Sequence, residues 1–96
     1  MEKITNIDDI LVFTDKGIQT FLREVDGEDL TIALKNVDKS VEEKIIKNMS
    51  RRASKLLKED MDSINPSSDD INLAQEKIMI IIQNLLDKKE IPFDEN

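Results

Sequence analysis

Apolar residues recur along this chain at intervals of three and four, which is the spacing of one face of an α-helix. No stretch alternates apolar and polar residues as a half-buried strand does, and only two Gly and two Pro occur. The pattern predicts an all-α fold: a compact bundle of about six short helices with a long C-terminal helix and short connections.

The first five predicted helices each begin at a residue that is suited to cap a helix. These residues are Asn6, Thr14 or Asp15, Asp26, Ser40 and Ser50. Asp29 and Glu43 are expected to complete capping boxes with Asp26 and Ser40. The apolar stripes are, in chain order, Ile7, Ile10 and Leu11; Ile18, Phe21, Leu22 and Val25; Leu30, Ala33, Leu34 and Val37; Val41, Ile45, Ile46 and Met49; and Ala53, Leu56, Leu57, Met61 and Ile64.

The last predicted helix runs from about Ser68 to Lys89, after a break at Asn65-Pro66-Ser67-Ser68, and is the longest and most apolar. Its wide stripe favours a helix clasped from several sides as the spine of the bundle, although Met79 and Ile80 could instead mark a contact with a neighbouring domain or subunit. The stripe comprises Ile71, Ala74, Ile78, Ile81, Ile82 and Leu85, widened by Leu73, Met79, Ile80 and Leu86. Ile91-Pro92 is expected to end the helix, and residues 92–96 to form a loose acidic tail.

The helix predicted to start at Ser50 carries its charges in an unfavourable order. Arg51 and Arg52 occupy its first turn, whereas Glu59 and Asp60 lie towards its end. A helix macrodipole favours the opposite order, by roughly 0.3–1 kcal/mol for each well-placed exposed charge. Such a plus-to-minus ridge is a candidate binding surface, and the alternative is a solvated face whose charge order is accidental.

The side-chain pairs expected within this helix also run in the weaker direction. Lys55 precedes Glu59 and Lys58 precedes Asp62 by four residues, so that the base comes before the acid in both pairs. This orientation stabilises an isolated helix less than the reverse order does.

Composition and charge exclude several classes of function. Charged residues are 36% of the 96 residues and the net charge is −7, which argues against a nucleic-acid partner and against an anionic membrane surface. A basic or charge-alternating protein partner fits better. No apolar run approaches the roughly 20 residues of a membrane span, and no signal-peptide core is present. We therefore expect one cytoplasmic domain without a transmembrane segment.

No arrangement of residues predicts catalysis. The chain has no Cys and no His, which removes thiol and imidazole chemistry. Asp60-Met61-Asp62 opens like a calcium loop, but Ile64 takes the third ligand position and Asn65 replaces the loop Gly. Paired carboxylates in first turns are explained by capping and the helix dipole. We expect no enzyme activity, no cofactor and no metal site.

Several blocks of the sequence resemble the C-terminal domain of the flagellar motor switch protein FliG. The most specific is Asn48-Met49-Ser50-Arg51-Arg52-Ala53, preceded by Ala33-Leu34-Lys35, whose Lys lies thirteen residues before Asn48. Leu22–Asp26, Leu57–Asp60 and Ala74–Ile78 also match, and the likeness covers about residues 4 to 91. It implies a FliG-type C-terminal helical domain over residues 1–91.

The resemblance implies a rotor-side component of the flagellar motor switch complex. In this family a charged helix meets the cytoplasmic loop of the stator protein MotA, and electrostatic contact transmits torque and switching. The family's stator-binding positions fall on Lys35, Arg52, Glu59 and Asp60. Other implied partners are FliM and neighbouring FliG copies, and the implied location is the cytoplasmic face of the inner membrane in the flagellar basal body.

Helical phase gives each of these positions a structural expectation. Asp60 falls within the apolar arc, so it is expected to be partly covered and paired with a base from a neighbouring helix. Glu59 and Lys35 are expected to be exposed. Arg52 lies on the flank of the stripe, where a bond to a nearby carboxylate and a stator contact both stay open.

Two departures from the family pattern stand out. The family usually has Gly-Pro-Val-Arg-Leu after the charged helix, whereas this chain has Asn65-Pro66-Ser67-Ser68 and lacks the Arg that would add a stator contact. The family's Met-Phe-x-Phe hinge falls on Ile4-Thr5-Asn6-Ile7, without aromatic residues.

An alternative function, from a different class, is a structural module that self-assembles through the apolar last helix. The salt dependence of binding distinguishes this module from an electrostatic docking domain, because only electrostatic contacts weaken as ionic strength rises.

Overall fold

The computed structural model describes residues 6–88, and all regular elements in that range are helices. This confirms the predicted all-α fold. Between residues 6 and 88 there are two 3₁₀ helices, one at Ile7–Val12 and an internal one at Leu34–Asn36. The α-helices are α1 (Asp15–Glu24), α2 (Gly27–Ala33), α3 (Lys39–Ile46), α4 (Arg51–Ser63) and α5 (Ser68–Asp87).

Most of the predicted helix starts are confirmed. These caps were predictable because each capping side chain accepts an amide only two or three residues ahead in the sequence. The Oγ1 of Thr14 accepts from the amide of Gly17 at 3.1 Å, and the Oγ of Ser50 accepts from the amide of Ala53 at 3.1 Å. The remaining caps are Asn6 and Asp26, as predicted, and Ser67 before α5.

Two predicted capping boxes are wrong. Helix α3 begins at Lys39 rather than after Ser40, because the carbonyl of Asp38 already accepts the amides of Val41 and Glu42. At α2 the carboxylate of Asp29 makes no hydrogen bond to the backbone amide of the N-cap residue Asp26. It lies 3.8 Å from the ammonium of Lys77 on α5, so a contact between helices replaces the local one.

Helix α5 is the spine of the bundle, as the width of its stripe predicts. It packs mainly against α2 and also contacts α1 and both 3₁₀ helices. Ile78 and Ile82 are fully buried, and the Nε2 of Gln75 donates to the carbonyl of Ala33 at 2.9 Å. The widened part of the stripe differs: Leu73 is 54% exposed and Ile80 61% exposed, whereas Met79 and Leu86 pack partly against the core.

The buried core otherwise follows the predicted stripes. Its largest fully buried side chains are Phe13, Phe21, Ile10, Ile18, Leu34, Ile45, Ile78, Ile82 and Val41. Phe13 was not predicted, since it lies in the link between two helices where no periodicity marks it. Leu11 and Leu56 belong to predicted stripes but are exposed, so their assignment to the core is wrong.

Some predictions concern residues outside the described range. The helix stop at Ile91-Pro92, the tail at residues 92–96 and the first half of the Ile4-Thr5-Asn6-Ile7 segment all lie there. Within residues 6–88, no helix combines the length and the apolar character that crossing a membrane requires.

A candidate docking surface on helix α4

Asn48 lies in the turn between α3 and α4, and its side chain links α3 to α1. Its amide nitrogen donates to the carboxylate of Asp15 at 3.2 Å and to the carbonyl of Lys44 at 2.8 Å. Its amide oxygen accepts from the Nε2 of Gln19 at 3.1 Å. These bonds tie the end of α3 to α1, and α4 begins only three residues later.

Asp15 is the anionic partner in this network. The hydrogen bond from Asn48 lowers the pKa of the Asp15 carboxyl below its usual value of 3.8, and the ammonium of Lys47, 3.5 Å away, acts in the same direction. Both contacts favour the charged form of the carboxyl, so Asp15 acts in this network as a carboxylate acceptor.

Helix α4 buries only a narrow face. Leu57 and Met61 are buried, and Ala53 and Ser54 are partly buried, as is Ile64 directly after the helix. The helix packs mainly against α2, whereas α5 has neighbours on several sides. Most of the circumference of α4 consequently faces solvent.

All seven charged side chains of α4 are exposed. They are Arg51, Arg52, Lys55, Lys58, Glu59, Asp60 and Asp62. The only ion pairs between residues 6 and 88 are Lys47 with Asp15 and Lys77 with Asp29, so none involves α4. The predicted pairs of Lys55 with Glu59 and of Lys58 with Asp62 are therefore wrong. Long exposed side chains lose more entropy by pairing than a weak surface attraction returns.

The expectation for Asp60 is also wrong. Its side chain is exposed, with no ion-pair partner among the described residues, rather than partly covered and paired. The predicted apolar arc included Leu56, but the true arc is narrower and centres on Leu57 and Met61, which leaves Asp60 outside it. Glu59 and Arg52 are exposed as well, and for Arg52 no bond to a carboxylate forms within residues 6–88.

The exposed surface of α4 divides into two faces, because each residue turns the helix by about 100°. Arg52, Leu56, Glu59 and Asp60 lie at i, i+4, i+7 and i+8 and form what we call the Leu56 face. The neighbouring exposed side, about a third of a turn around the helix, is what we call the Arg51 face, and it comprises Arg51, Lys55, Lys58 and Asp62. Three of the four positions matched to stator binding thus share one face.

Lys35 lies apart from this face in sequence but contacts α4 directly. It belongs to the internal 3₁₀ helix, and its ammonium donates to the main-chain carbonyl of Met61 at 2.7 Å. Lys35 is exposed as expected, yet it also supplies a positive charge to the C-terminal end of α4, whose own last turn has no basic residue.

A groove of about 740 Å³ lies between the start of α2 and the end of α4. Asp60 and Glu28 are on its walls, together with the apolar side chains of Ile32 and Ile64. The C-terminal end of the Leu56 face is therefore acidic and borders a concave surface.

Two features of the site were not found from the sequence. The Lys35–Met61 bond joins residues 26 positions apart and leaves no periodic signal. Asn48 was recognised only as part of a matching block, and its amide side chain in the turn that follows α3 was the signal that could have predicted a role in the connection.

Comparison with known proteins places these features in context. A family described as "FliG C-terminal domain" matches residues 1–93. The flagellar motor switch protein FliG of Borreliella burgdorferi is 45% identical over 91 residues, which cover 94% of this chain and 26% of the relative. FliG of Thermotoga maritima is 46% identical over 85 residues, which cover 88% of this chain and 25% of the relative.

Solved structures show the same arrangement of helices. A crystal structure of a FliG fragment from H. pylori superposes with a TM-score of 0.88 at 33% identity, covering 91% of this chain and 39% of that fragment. Full-length FliG from Aquifex aeolicus gives a TM-score of 0.84 at 36% identity, covering 90% of this chain and 27% of that protein. The chain spans about a quarter of the length of the curated relatives that it matches.

Proposed function

The chain belongs to the family of FliG C-terminal domains, and we propose on this basis that it is a rotor-side component of a flagellar motor switch. In this proposal, α4 is the surface that meets the stator. We propose that the domain acts as an electrostatic docking domain rather than as an enzyme, since its relatives are named as motor switch proteins.

The observation that supports the proposal most directly is the exposure of the charged side chains on the Leu56 face. Its charged residues Arg52, Glu59 and Asp60 are all exposed and make no ion pair with another residue between 6 and 88. Charges that form no ion pair within the described part of the fold, in an order that weakens their own helix, are better explained by recognition than by stability.

The proposed partner is the cytoplasmic loop of the stator protein MotA, with Lys35, Arg52, Glu59 and Asp60 as contact residues. Exposed charges attract a partner over distances of up to about 10 Å and give fast association without a large buried area. A contact that must form and break as a rotor passes a stator needs this combination. Other proposed partners are FliM and neighbouring FliG copies, at the cytoplasmic face of the inner membrane in the basal body.

The proposal can be tested by calorimetric titration of this domain with the purified cytoplasmic loop of a stator protein. We expect binding that weakens as salt is raised from about 0.05 to about 0.5 M, because salt screens exposed charges. Asp60→Arg should weaken low-salt binding by about tenfold or more, since it places a like charge against the basic group that Asp60 would meet.

Glu43→Arg is the matched control for this experiment. Glu43 is an exposed acid in the middle of α3, and its replacement changes the net charge by the same amount without touching α4. It should bind as the wild-type domain does, and circular dichroism should show equal helicity for all three proteins. A domain that binds no stator loop at any salt concentration, but self-associates, would contradict the proposal and support the alternative of an assembly module.

A further inference from the structure

Leu56 occupies an unusual place on α4. It is 52% exposed, whereas Leu57 and Met61 on the same helix are buried. A single exposed leucine is common on protein surfaces and alone indicates nothing. Leu56, however, lies at the centre of the Leu56 face, four residues after Arg52 and four before Asp60.

The spacing sets out three chemically different contacts in a line. Four residues advance about 6 Å along a helix, so a basic, an apolar and an acidic side chain follow each other at intervals of roughly one turn. Glu59, three residues after Leu56, widens the acidic end. About half of Leu56 is open to solvent, so the residues between 6 and 88 leave that half available to a partner.

We propose that Leu56 is the apolar anchor of the α4 contact and fixes the register in which the stator segment docks. The fitting partner is a helical segment of the stator loop with an acidic, an apolar and a basic side chain at intervals of one turn, facing Arg52, Leu56 and Asp60 in that order. This inference rests on the proposed function of α4 and adds to it a residue that none of the charge-based arguments includes.

The physical reason is that charges alone specify position poorly. Exposed ion pairs are weak and tolerate sliding of one helix along another. An apolar side chain surrounded by polar groups gives its full contribution only when it meets an apolar partner, and interface hot spots are typically found in such central, desolvated positions. Burying Leu56 would thus convert an attraction between charged helices into one defined register.

The anchor also changes the expected salt dependence. Burial of apolar surface does not weaken as salt screens charges, so the Leu56 contribution should persist when the contributions of Arg52 and Asp60 shrink. A contact made by charges alone has no such residual component.

The test compares the wild-type domain with Leu56→Ala, Leu56→Met and Leu73→Ala, beside Asp60→Arg. The ligand is the purified stator loop at about 0.05 and about 0.5 M salt. Leu73 is the matched control, because it is a leucine of 54% exposure that lies on α5 rather than on α4. Alanine favours helix and Leu56 has little packing to lose, so Leu56→Ala should fold normally.

We expect Leu56→Ala to weaken binding about tenfold at both salt concentrations. Leu56→Met should bind nearly as well as wild type, because it keeps an apolar side chain of similar size, and Leu73→Ala should be unchanged. The effect of Asp60→Arg should shrink in high salt.

The outcomes separate this inference from the proposed function. If Asp60→Arg abolishes binding while Leu56→Ala binds like wild type, Leu56 is no anchor and the electrostatic function stands. Equal weakening by Leu56→Ala and Leu73→Ala would also overturn the inference, since the effect would not be specific to α4. A wild-type domain that does not bind the loop would overturn both.

Discussion

The ammonium of Lys35 joins the internal 3₁₀ helix to the end of α4. It donates to the carbonyl of Met61 at 2.7 Å, within the last turn, where a helix leaves carbonyls without amide partners. A charged donor makes a stronger bond to such a carbonyl than a neutral one. Two ammonium hydrogens remain for other acceptors, so the same side chain can brace α4 and still contact a partner.

Lys35→Met tests the bracing role. Methionine keeps most of the apolar stem and removes the donor, so the free energy of unfolding should fall by about 1 kcal/mol. Urea unfolding followed by circular dichroism measures this difference. Lys55→Met is the matched control: Lys55 is exposed on α4 with no ion-pair partner among the described residues, and its replacement should change stability by less than about 0.5 kcal/mol. Equal unfolding midpoints for the two variants would show that the Lys35–Met61 bond contributes nothing to the fold.

Residue-level predictions from the sequence were correct where the chemistry is local. Thr14 and Ser50 cap helices because each accepts an amide three residues ahead, within the reach of a short side chain. The residue-level predictions were wrong where the partner of a side chain belongs to a distant element. Asp29 contacts Lys77 on α5 instead of its own helix start, and no spacing in the sequence marks that choice.

At the scale of the element, α4 combines a good N-cap with an unfavourable charge order. Ser50 accepts the amide of Ala53, but Arg51 and Arg52 follow in the first turn. Lys35 partly offsets the acidic C-terminal end from outside the helix. The helix therefore depends on its buried face and on a neighbouring element more than on its own charges.

Paired charge changes in the first turn separate stability from recognition. Arg51→Glu and Arg52→Glu should each raise the free energy of unfolding by about 0.3–1 kcal/mol at low salt, because each replaces a repelled charge near the helix N-terminus with an attracted one. Only Arg52→Glu should weaken binding to the stator loop, since Arg51 lies about 100° around the helix from Arg52, on the Arg51 face. Thermal unfolding and calorimetric titration of both variants measure the two effects.

High salt is the internal control for this pair. The gain in stability should shrink in about 1 M salt, where screening acts over about 3 Å. A loss of binding in both variants would show that the partner does not distinguish the two faces of α4. Unchanged stability at low salt would show that the charge order of α4 is energetically silent.

At the scale of the whole molecule, periodicity predicted which face of each helix is apolar but not how much of that face is covered. The coverage depends on the number of neighbours. Helix α5 has several and buries a wide stripe, whereas α4 packs mainly against α2 and buries a narrow one. Leu56 and Asp60 were misplaced for this reason. The charged positions of the candidate site came from resemblance to a family, and their open, unpaired state required the three-dimensional arrangement.

Helix α5 has a covered side and an open side, and alanine substitutions on the two sides should differ in their effect on stability. Ile78→Ala removes a fully buried side chain from the helix that most of the bundle contacts, and should lower the free energy of unfolding by about 2–5 kcal/mol. Ile80→Ala, two residues away and at 61% exposure, should change it by less than about 0.5 kcal/mol. Urea unfolding measures both, and sedimentation over a range of protein concentrations shows whether Ile80 instead joins copies of the chain. If Ile80→Ala leaves the mass and the stability unchanged, the open side of α5 is solvated. If it abolishes a dimer that the wild-type domain forms, the assembly role belongs to α5 and is independent of the charged surface on α4.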